Sequence, residues 1–176
     1  IEILKLANET DTVTIEGIED IDITSVDGYT AIQCKYYEGT EYNHSVIAEP
    51  IRLMLNHFSE YKKGLKPKVQ YILRGHYKSG QHKLSLPIDL PFFKDKFLTY
   101  TSKKVTHEHH KELSLKDQDL KDFLDCLTID INAKNFSHGD NTYRISLYAK
   151  SAIDGSWDVS YLYFTLEDTQ FMLADG

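Results

Sequence analysis

The sequence predicts a mixed α/β domain of the α+β kind, in which helices flank a mixed central β-sheet. Asp27-Gly28 separates two β-rich runs, and this dipeptide is the strongest short-range signal for a β-hairpin. An amphipathic helix is predicted next, from an apolar stripe that contains Ile47, Ile51, Leu55 and Phe58. Residues 68–76 then alternate apolar and polar side chains, which is typical of a strand.

The predicted hairpin pairs a strand over residues 13–25 with a strand over residues 29–37. If Asp27-Gly28 is a two-residue turn, Asp22 lies opposite Gln33, and Asp20 lies opposite Lys35. Opposed residues project from the same face, with Cβ atoms about 4.5–5.5 Å apart. One face would then carry two carboxylates, an amide and an ammonium group. The other face would be apolar and would contribute to the core through Ile21, Ile23, Ile32 and Cys34.

This combination of side chains suits a hard cation. Mg²⁺ takes oxygen ligands and is usually held by one or two carboxylates together with substrate phosphate. We expect Asp22 and the Gln33 carbonyl oxygen to share the ion, with Asp20 as an additional or outer ligand. Lys35 would orient the attacking water or stabilise the transition state. The alternative is a surface hairpin with cross-strand Asp–Lys pairs, which contribute only about a few tenths of a kcal/mol.

The hairpin resembles the active-site hairpin of restriction-endonuclease-like nucleases, the PD-(D/E)xK superfamily. Their signature is an aspartate, a variable gap and Asp/Glu/Gln-x-Lys, and Gln33-Cys34-Lys35 matches the second part. Spacing alone leaves open whether Asp20 or Asp22 is the family aspartate, and the predicted register favours Asp22. The Gln-x-Lys form is similar to Mrr-type enzymes and to nuclease domains of bacterial anti-phage effectors.

The resemblance implies a restriction-endonuclease-like core over residues 1–141 and a Mg²⁺- or Mn²⁺-dependent endonuclease that cuts DNA. It also implies an effector domain fused to, or associated with, a sensor or NTPase module, and a homo-oligomer is compatible with it. Many members add a glutamate from a preceding helix, and Glu2, Glu9 or Glu16 would supply it here. The alternative from another class is a catalytically silent nucleic-acid-binding or assembly module. The sequence does not distinguish DNA from RNA as the substrate.

Charge distribution favours nucleic acid more than net charge does. The formal net charge is −7, but residues 61–88 contain no Asp or Glu and seven Lys or Arg residues. Tyrosines are interleaved with these bases, at Tyr61, Tyr71 and Tyr77. Cations that neutralise phosphates and aromatics that stack on bases are typical of nucleic-acid-binding surfaces. The predicted binding residues are Arg74, His76, Lys78, His82 and Lys83.

The remaining elements are predicted more coarsely. The first helix should end at Lys63 before a Gly64 cap, with Pro50 in its first turn. A short helix over residues 90–98 and a weak strand over residues 99–106 come next. His107-Glu108-His109-His110 is interpreted as a solvated linker, with a zinc site as the minor alternative. A helix that begins near Ser114 and a strand over residues 128–132 complete the first domain. A second hairpin, within residues 142–176, is expected to pack on it as an extension.

Composition is that of a folded chain, with 41% hydrophobic residues, 12 Tyr and 8 Phe. No apolar run reaches the roughly 20 residues that a bilayer span requires. The two cysteines, Cys34 and Cys126, do not suggest a disulfide framework, so a reducing cytoplasm is the expected location.

Overall fold

The computed structural model describes residues 8, 10–15, 17–133, 142–150 and 157–165. The chain divides into two units, residues 1–133 and residues 134–176. In chain order the elements are β1 (Thr12–Ile15), β2 (Ile21–Ser25), β3 (Gly28–Glu41), α1 (His44–Lys62), β4 (Val69–Ser79), α2 (Leu90–Phe93), β5 (Thr99–Ser102), β6 (Val105–Glu108), α3 (His109–Glu112), α4 (Asp117–Asp125), β7 (Leu127–Asp130), β8 (Thr142–Lys150) and β9 (Trp157–Thr165). A 3₁₀ turn covers Gln81–Lys83, and a π-helical turn covers Lys94–Leu98.

The first unit contains a five-stranded mixed sheet in the order β1-β2-β3-β4-β7. The pairs β1-β2 and β2-β3 are antiparallel, whereas β3-β4 and β4-β7 are parallel. This confirms the predicted mixed sheet with flanking helices. The single strand predicted over residues 13–25 is wrong, because the chain reverses around Gly17 and forms a separate β1-β2 hairpin.

Helix α1 connects the parallel strands β3 and β4, as parallel pairing requires. Its buried side chains recur at helical spacing and include Ile47, Ile51, Met54, Leu55 and Phe58. Pro50 lies inside the helix and not in its first turn. The predicted cap is confirmed: Gly64 has a φ of 75°, its N–H donates to the Tyr61 carbonyl at 2.8 Å, and the Leu65 N–H donates to the Glu60 carbonyl at 3.0 Å.

The core lies on the face of the sheet that contains the odd-numbered residues of β3 and β4. Parallel pairing sets Ala31 beside Tyr71 and Gln33 beside Leu73, and α1 covers this face. The predicted apolar face is therefore not the main core: Cys34 is exposed, and Ile21 and Ile23 are only half-buried, although Ile32 is buried. The alternation of apolar residues in β4 determines which face of the sheet is buried, since the buried residues of β4 are Val69, Tyr71, Leu73 and Tyr77.

The segment after β4 is more ordered than the sequence suggests. Asp89 caps α2 by accepting from the Phe92 N–H at 2.8 Å. The predicted strand over residues 99–106 is a two-stranded hairpin, β5-β6, that turns at Lys103 and Lys104 with φ values of 48° and 66°. Residues 107–110 are not a solvated linker, because they end β6 and begin α3, and His110 is buried.

The second unit contains β8 and β9, which pair in antiparallel register from Thr142↔Thr165 to Lys150↔Trp157. The predicted second hairpin is thus confirmed. In the described residues, no helix has the length and apolar character that a membrane span needs.

Gly64→Ala should lower the free energy of unfolding by about 1 kcal/mol, because an L side chain is strained at positive φ. The matched control is Gly39→Ala, since Gly39 has an ordinary φ and its added Cβ, like that of Gly64, meets no atom within 4 Å. Chemical denaturation of both variants measures the difference. Equal stability of the two variants would contradict the assigned cap.

Candidate functional site

The β2-β3 hairpin has a different register from the predicted one. Ser25 pairs with Gly28, so the two turn residues are Val26 and Asp27 and not Asp27-Gly28. Asp22 consequently lies opposite Ala31 and not opposite Gln33. Gly28 takes a φ of 124° as the first residue of β3, and the Ser25 hydroxyl accepts from the Asp27 N–H at 3.3 Å. The shift is two residues, an even number, so the polar side chains still share one face.

Asp20 is the aspartate that contacts Gln33. The Gln33 side-chain amide Nε2 donates to Asp20 Oδ2, and the Cys34 backbone N–H donates to the same oxygen at 2.7 Å. Gln33 is buried, with 7% of its surface exposed. The structure therefore joins Asp20 to Gln33, whereas the predicted register paired Asp20 with Lys35 and Gln33 with Asp22.

Asp22 stabilises the turn between β1 and β2. Its Oδ2 accepts from the Ile18 N–H at 2.5 Å, and its Oδ1 accepts from the Glu19 N–H at 3.3 Å. Gly17 leaves room for this contact, because a Cβ on residue 17 would lie 2.1 Å from Asp22 Oδ2 and the carboxylate would have to move. Asp22 thus positions the neighbouring backbone, in addition to bringing a charge to this face.

Glu19 is a third carboxylate at the site, which the sequence analysis missed. Burial, and then the charges of Asp20 and Asp22, raise the pKa of Glu19 from 4.5 to about 7, and Lys35 opposes the shift. Strand alternation would place Glu19 on the face away from Asp20. The bend over residues 17–20 removes this alternation, so the adjacent carboxylates lie close enough to interact. The adjacent acidic residues Glu19 and Asp20 were the feature of the sequence that could have indicated a third carboxylate at the site.

Helix α1 contributes a histidine above the same region. His57 Nδ1 lies 2.7 Å from the hydroxyl of Tyr71, which is the register neighbour of Ala31 on β4. Burial is the main cause that lowers the pKa of His57, whereas the Asp22 charge acts in the opposite direction. Burial likewise raises the pKa of Tyr71, with Glu19 contributing. The carboxylates therefore lie where the sheet meets α1, in a partly desolvated environment.

Lys35 and the predicted phosphate-binding residues lie on different faces of the sheet. Lys35 pairs with Gly75 on the core-facing side, whereas Arg74, His76 and Lys78 occupy the alternate positions of β4. His76 stacks on Tyr36 with 5.3 Å between ring centroids, and its Nδ1 lies 2.7 Å from the Ala133 carbonyl oxygen.

The other predicted binding residues follow β4. Lys83 forms an ion pair with Glu41 at 2.9 Å, and His82 is exposed in the 3₁₀ turn. Of the tyrosines expected to stack on bases, Tyr71 and Tyr77 are core residues. Nucleic-acid contact by Arg74, His76, Lys78, His82 and Lys83 stays a prediction.

Across the described residues, no group of three or more His, Cys, Asp or Glu side chains is arranged as a metal site. Glu19, Asp20 and Gln33 nevertheless offer the oxygen donors that Mg²⁺ prefers, and burial together with the charges of Asp20 and Asp22 raises the pKa of Glu19, an effect that a bound cation would oppose. Comparison with protein-family models, curated proteins and solved structures found no match. The resemblance to nucleases therefore depends on the hairpin residues themselves.

Glu19→Gln should stabilise the metal-free protein at pH 8 but have little effect at pH 4.5. A carboxyl group with a raised folded-state pKa favours folding at low pH, and this contribution is lost as the pH rises from 4.5 to about 7. Glutamine stays neutral, so the variant avoids the loss. Thermal unfolding at both pH values measures the effect.

Glu49→Gln is the matched control for Glu19→Gln, because Glu49 is exposed on α1. It removes one negative charge without changing the carboxylate cluster of Glu19, Asp20 and Asp22. A gain at pH 8 that is equal in the two variants would assign the effect to net charge and not to the cluster.

Proposed function

We propose that this chain is a metal-dependent nuclease that hydrolyses phosphodiester bonds in DNA with Mg²⁺ or Mn²⁺. The contact between Asp20 and Gln33 carries the proposal, because it joins the aspartate and the Gln-x-Lys part of the motif across two strands. Lys35 follows two residues later on the same face of β3. The restriction-endonuclease-like resemblance gives this combination its interpretation.

The donor atoms support a metal role for Asp20. Both bonds to Asp20 reach Oδ2, so we assign the ion to its other carboxylate oxygen, Oδ1. Because Gln33 donates through Nε2, its carbonyl oxygen Oε1 is the end of the amide that suits a cation. Glu19 takes the place of the glutamate that the family usually draws from a preceding helix. A bound divalent ion would lower the pKa of a water molecule and neutralise charge on the phosphate.

Lys35 is the residue that we assign to the transition state. It is half-buried at the edge of the core, where an ammonium group interacts with developing charge more strongly than it would in bulk water. Its charge already opposes the pKa shift of Glu19, which indicates that the ammonium group and the carboxylates act on one another. Lys35 would orient the attacking water or bind the phosphate oxygens.

The strand arrangement agrees with the proposed family. An antiparallel hairpin, a helix and a parallel strand follow in that order, which is the order of the nuclease core. The role as effector domain of a bacterial anti-phage defence protein, with a sensor or NTPase partner, comes only from the resemblance of the Gln-x-Lys motif.

Plasmid cleavage should require Mg²⁺ or Mn²⁺ and stop when a chelator is added, because the proposed chemistry uses a metal-activated water and no covalent enzyme intermediate. Agarose electrophoresis of supercoiled plasmid, with and without chelator, measures this. Full activity in chelator would exclude the metal mechanism. Single-stranded DNA and RNA tested in parallel would show whether the preference for double-stranded DNA is correct.

Asp20→Asn should abolish cleavage and metal binding, whereas Lys35→Ala should abolish cleavage but retain the metal. Asn keeps the size of the side chain but loses the charge that binds the ion. Calorimetric titration with Mg²⁺ and a cleavage assay separate the two effects. Asp22→Asn should act mainly by loosening the β1-β2 turn, so its melting temperature should fall. Asp27→Asn, in the exposed turn of the same hairpin, is the control.

A catalytically silent binding module is the second candidate, and one observation favours it. The carboxylates of Asp20 and Asp22 already accept hydrogen bonds from the protein, so the cluster has a structural use without a metal ion. Absence of Mg²⁺ binding at millimolar concentration, together with nucleic-acid binding that Lys78→Glu weakens, would support this candidate. Lys35→Ala with normal cleavage in a folded protein would exclude the proposed active site.

A further inference from the structure

The hydroxyl group of Tyr77 is buried without a hydrogen-bond partner in the described part of the chain. Only 2% of the Tyr77 surface is exposed, so solvent does not satisfy the group. Buried polar groups are nearly always paired because an unpaired one destabilises the fold, and a catalytic role is one of the explanations for an exception. Packing explains the aromatic ring of Tyr77 but not the presence of its hydroxyl group.

The hydroxyl lies over Gly75, the residue that pairs with Lys35 across the sheet. A Cβ placed on Gly75 would be 2.4 Å from Tyr77 Cε2 and 3.1 Å from its hydroxyl oxygen, so the ring leans back along β4 over Gly75. Gly75 is the register partner of Lys35 on β3. Neighbouring strands are about 4.8 Å apart, and register partners project from the same face. Any larger residue at position 75 would displace the ring from this place.

Two other aromatic rings contact the Tyr77 ring. Tyr37 stacks on it with 5.6 Å between centroids, and Tyr42 contacts it edge-on at 5.1 Å. Burial, with a smaller contribution from Tyr37, raises the pKa of Tyr77 to about 12. The phenol is therefore neutral at ordinary pH, and its oxygen can accept a hydrogen bond from an ammonium group.

We propose that Tyr77 is a positioning residue for Lys35, whose ammonium group donates to the Tyr77 hydroxyl oxygen when a phosphodiester is bound. The hydroxyl then restricts the flexible lysine side chain to the orientation that reaches the attacking water or the phosphate. This inference rests on the proposed nuclease function. It accounts for the unpaired hydroxyl of Tyr77 and for the glycine at position 75, which pairs with Lys35.

The test is Tyr77→Phe in the full chain, assayed for cleavage of plasmid DNA with Mg²⁺. We expect kcat to fall about 10-fold to 100-fold, because misplacing a reacting group has effects of that size. KM should change less than kcat, since Lys35 acts mainly in the transition state, and Mg²⁺ binding should stay unchanged, since Lys35 is not a metal ligand. The melting temperature should stay equal or rise, because the resting protein loses no hydrogen bond.

Tyr42→Phe is the matched control, because the Tyr42 hydroxyl lies 3.1 Å from His44 Nδ1 and has a structural partner. Its melting temperature should fall while kcat stays normal. Normal kcat in Tyr77→Phe, or a fall in its melting temperature like that of the control, overturns the inference. If Asp20→Asn abolishes cleavage while Tyr77→Phe cuts normally, only this inference fails. If the wild-type protein shows no metal-dependent cleavage, the nuclease proposal fails with it.

Discussion

The bond network of the Asp20 carboxylate is the interaction on which the arrangement of the candidate site depends. Its Oδ2 atom accepts hydrogen bonds from the Gln33 side chain and from the Cys34 backbone N–H. The Asp20 side chain thus satisfies an N–H group of β3 that a backbone carbonyl of β2 would accept from in a regular ladder. Bonds to an ionised acceptor are stronger than neutral ones, and they hold β2 on β3 where regular pairing stops. The chain can then turn away before Asp20, and this turn brings Glu19 to the same region.

This arrangement concentrates negative charge where the sheet meets the core. The raised pKa of Glu19 means that the folded protein disfavours the third negative charge at neutral pH. Asp20 and Asp22 also hold the hairpin and the β1-β2 turn, so the cluster has a structural use, and a cation bound there would in addition offset the burial and repulsion at Glu19.

Particular residues show what the sequence could and could not predict. The alternation of side chains along β2 and β3 correctly placed Asp20, Asp22, Gln33 and Lys35 on one face. The register error was two residues, and a shift by an even number leaves side chains on the same face. The predicted partner of Gln33 was wrong, because the turn residues are Val26 and Asp27, and Gly28, with a φ of 124°, is already the first residue of β3. Glu19 was missed because a bend replaced the expected strand. These errors have a common origin in local turn geometry, which periodicity does not encode.

Tertiary packing explains why the core lies on the other face from the predicted one. The apolar residues of β2 and β3 alone predict a core on their own face. The core residues of β4 and α1 lie on the opposite face, and parallel pairing with β4 places Ala31 and Gln33 on that face too. The polar side chains therefore share a face with the core and lie at its edge. A site at such an edge combines partial desolvation, which strengthens electrostatic interactions, with access for a charged substrate. Lys35, which pairs with Gly75 and is half-buried, lies where both conditions meet.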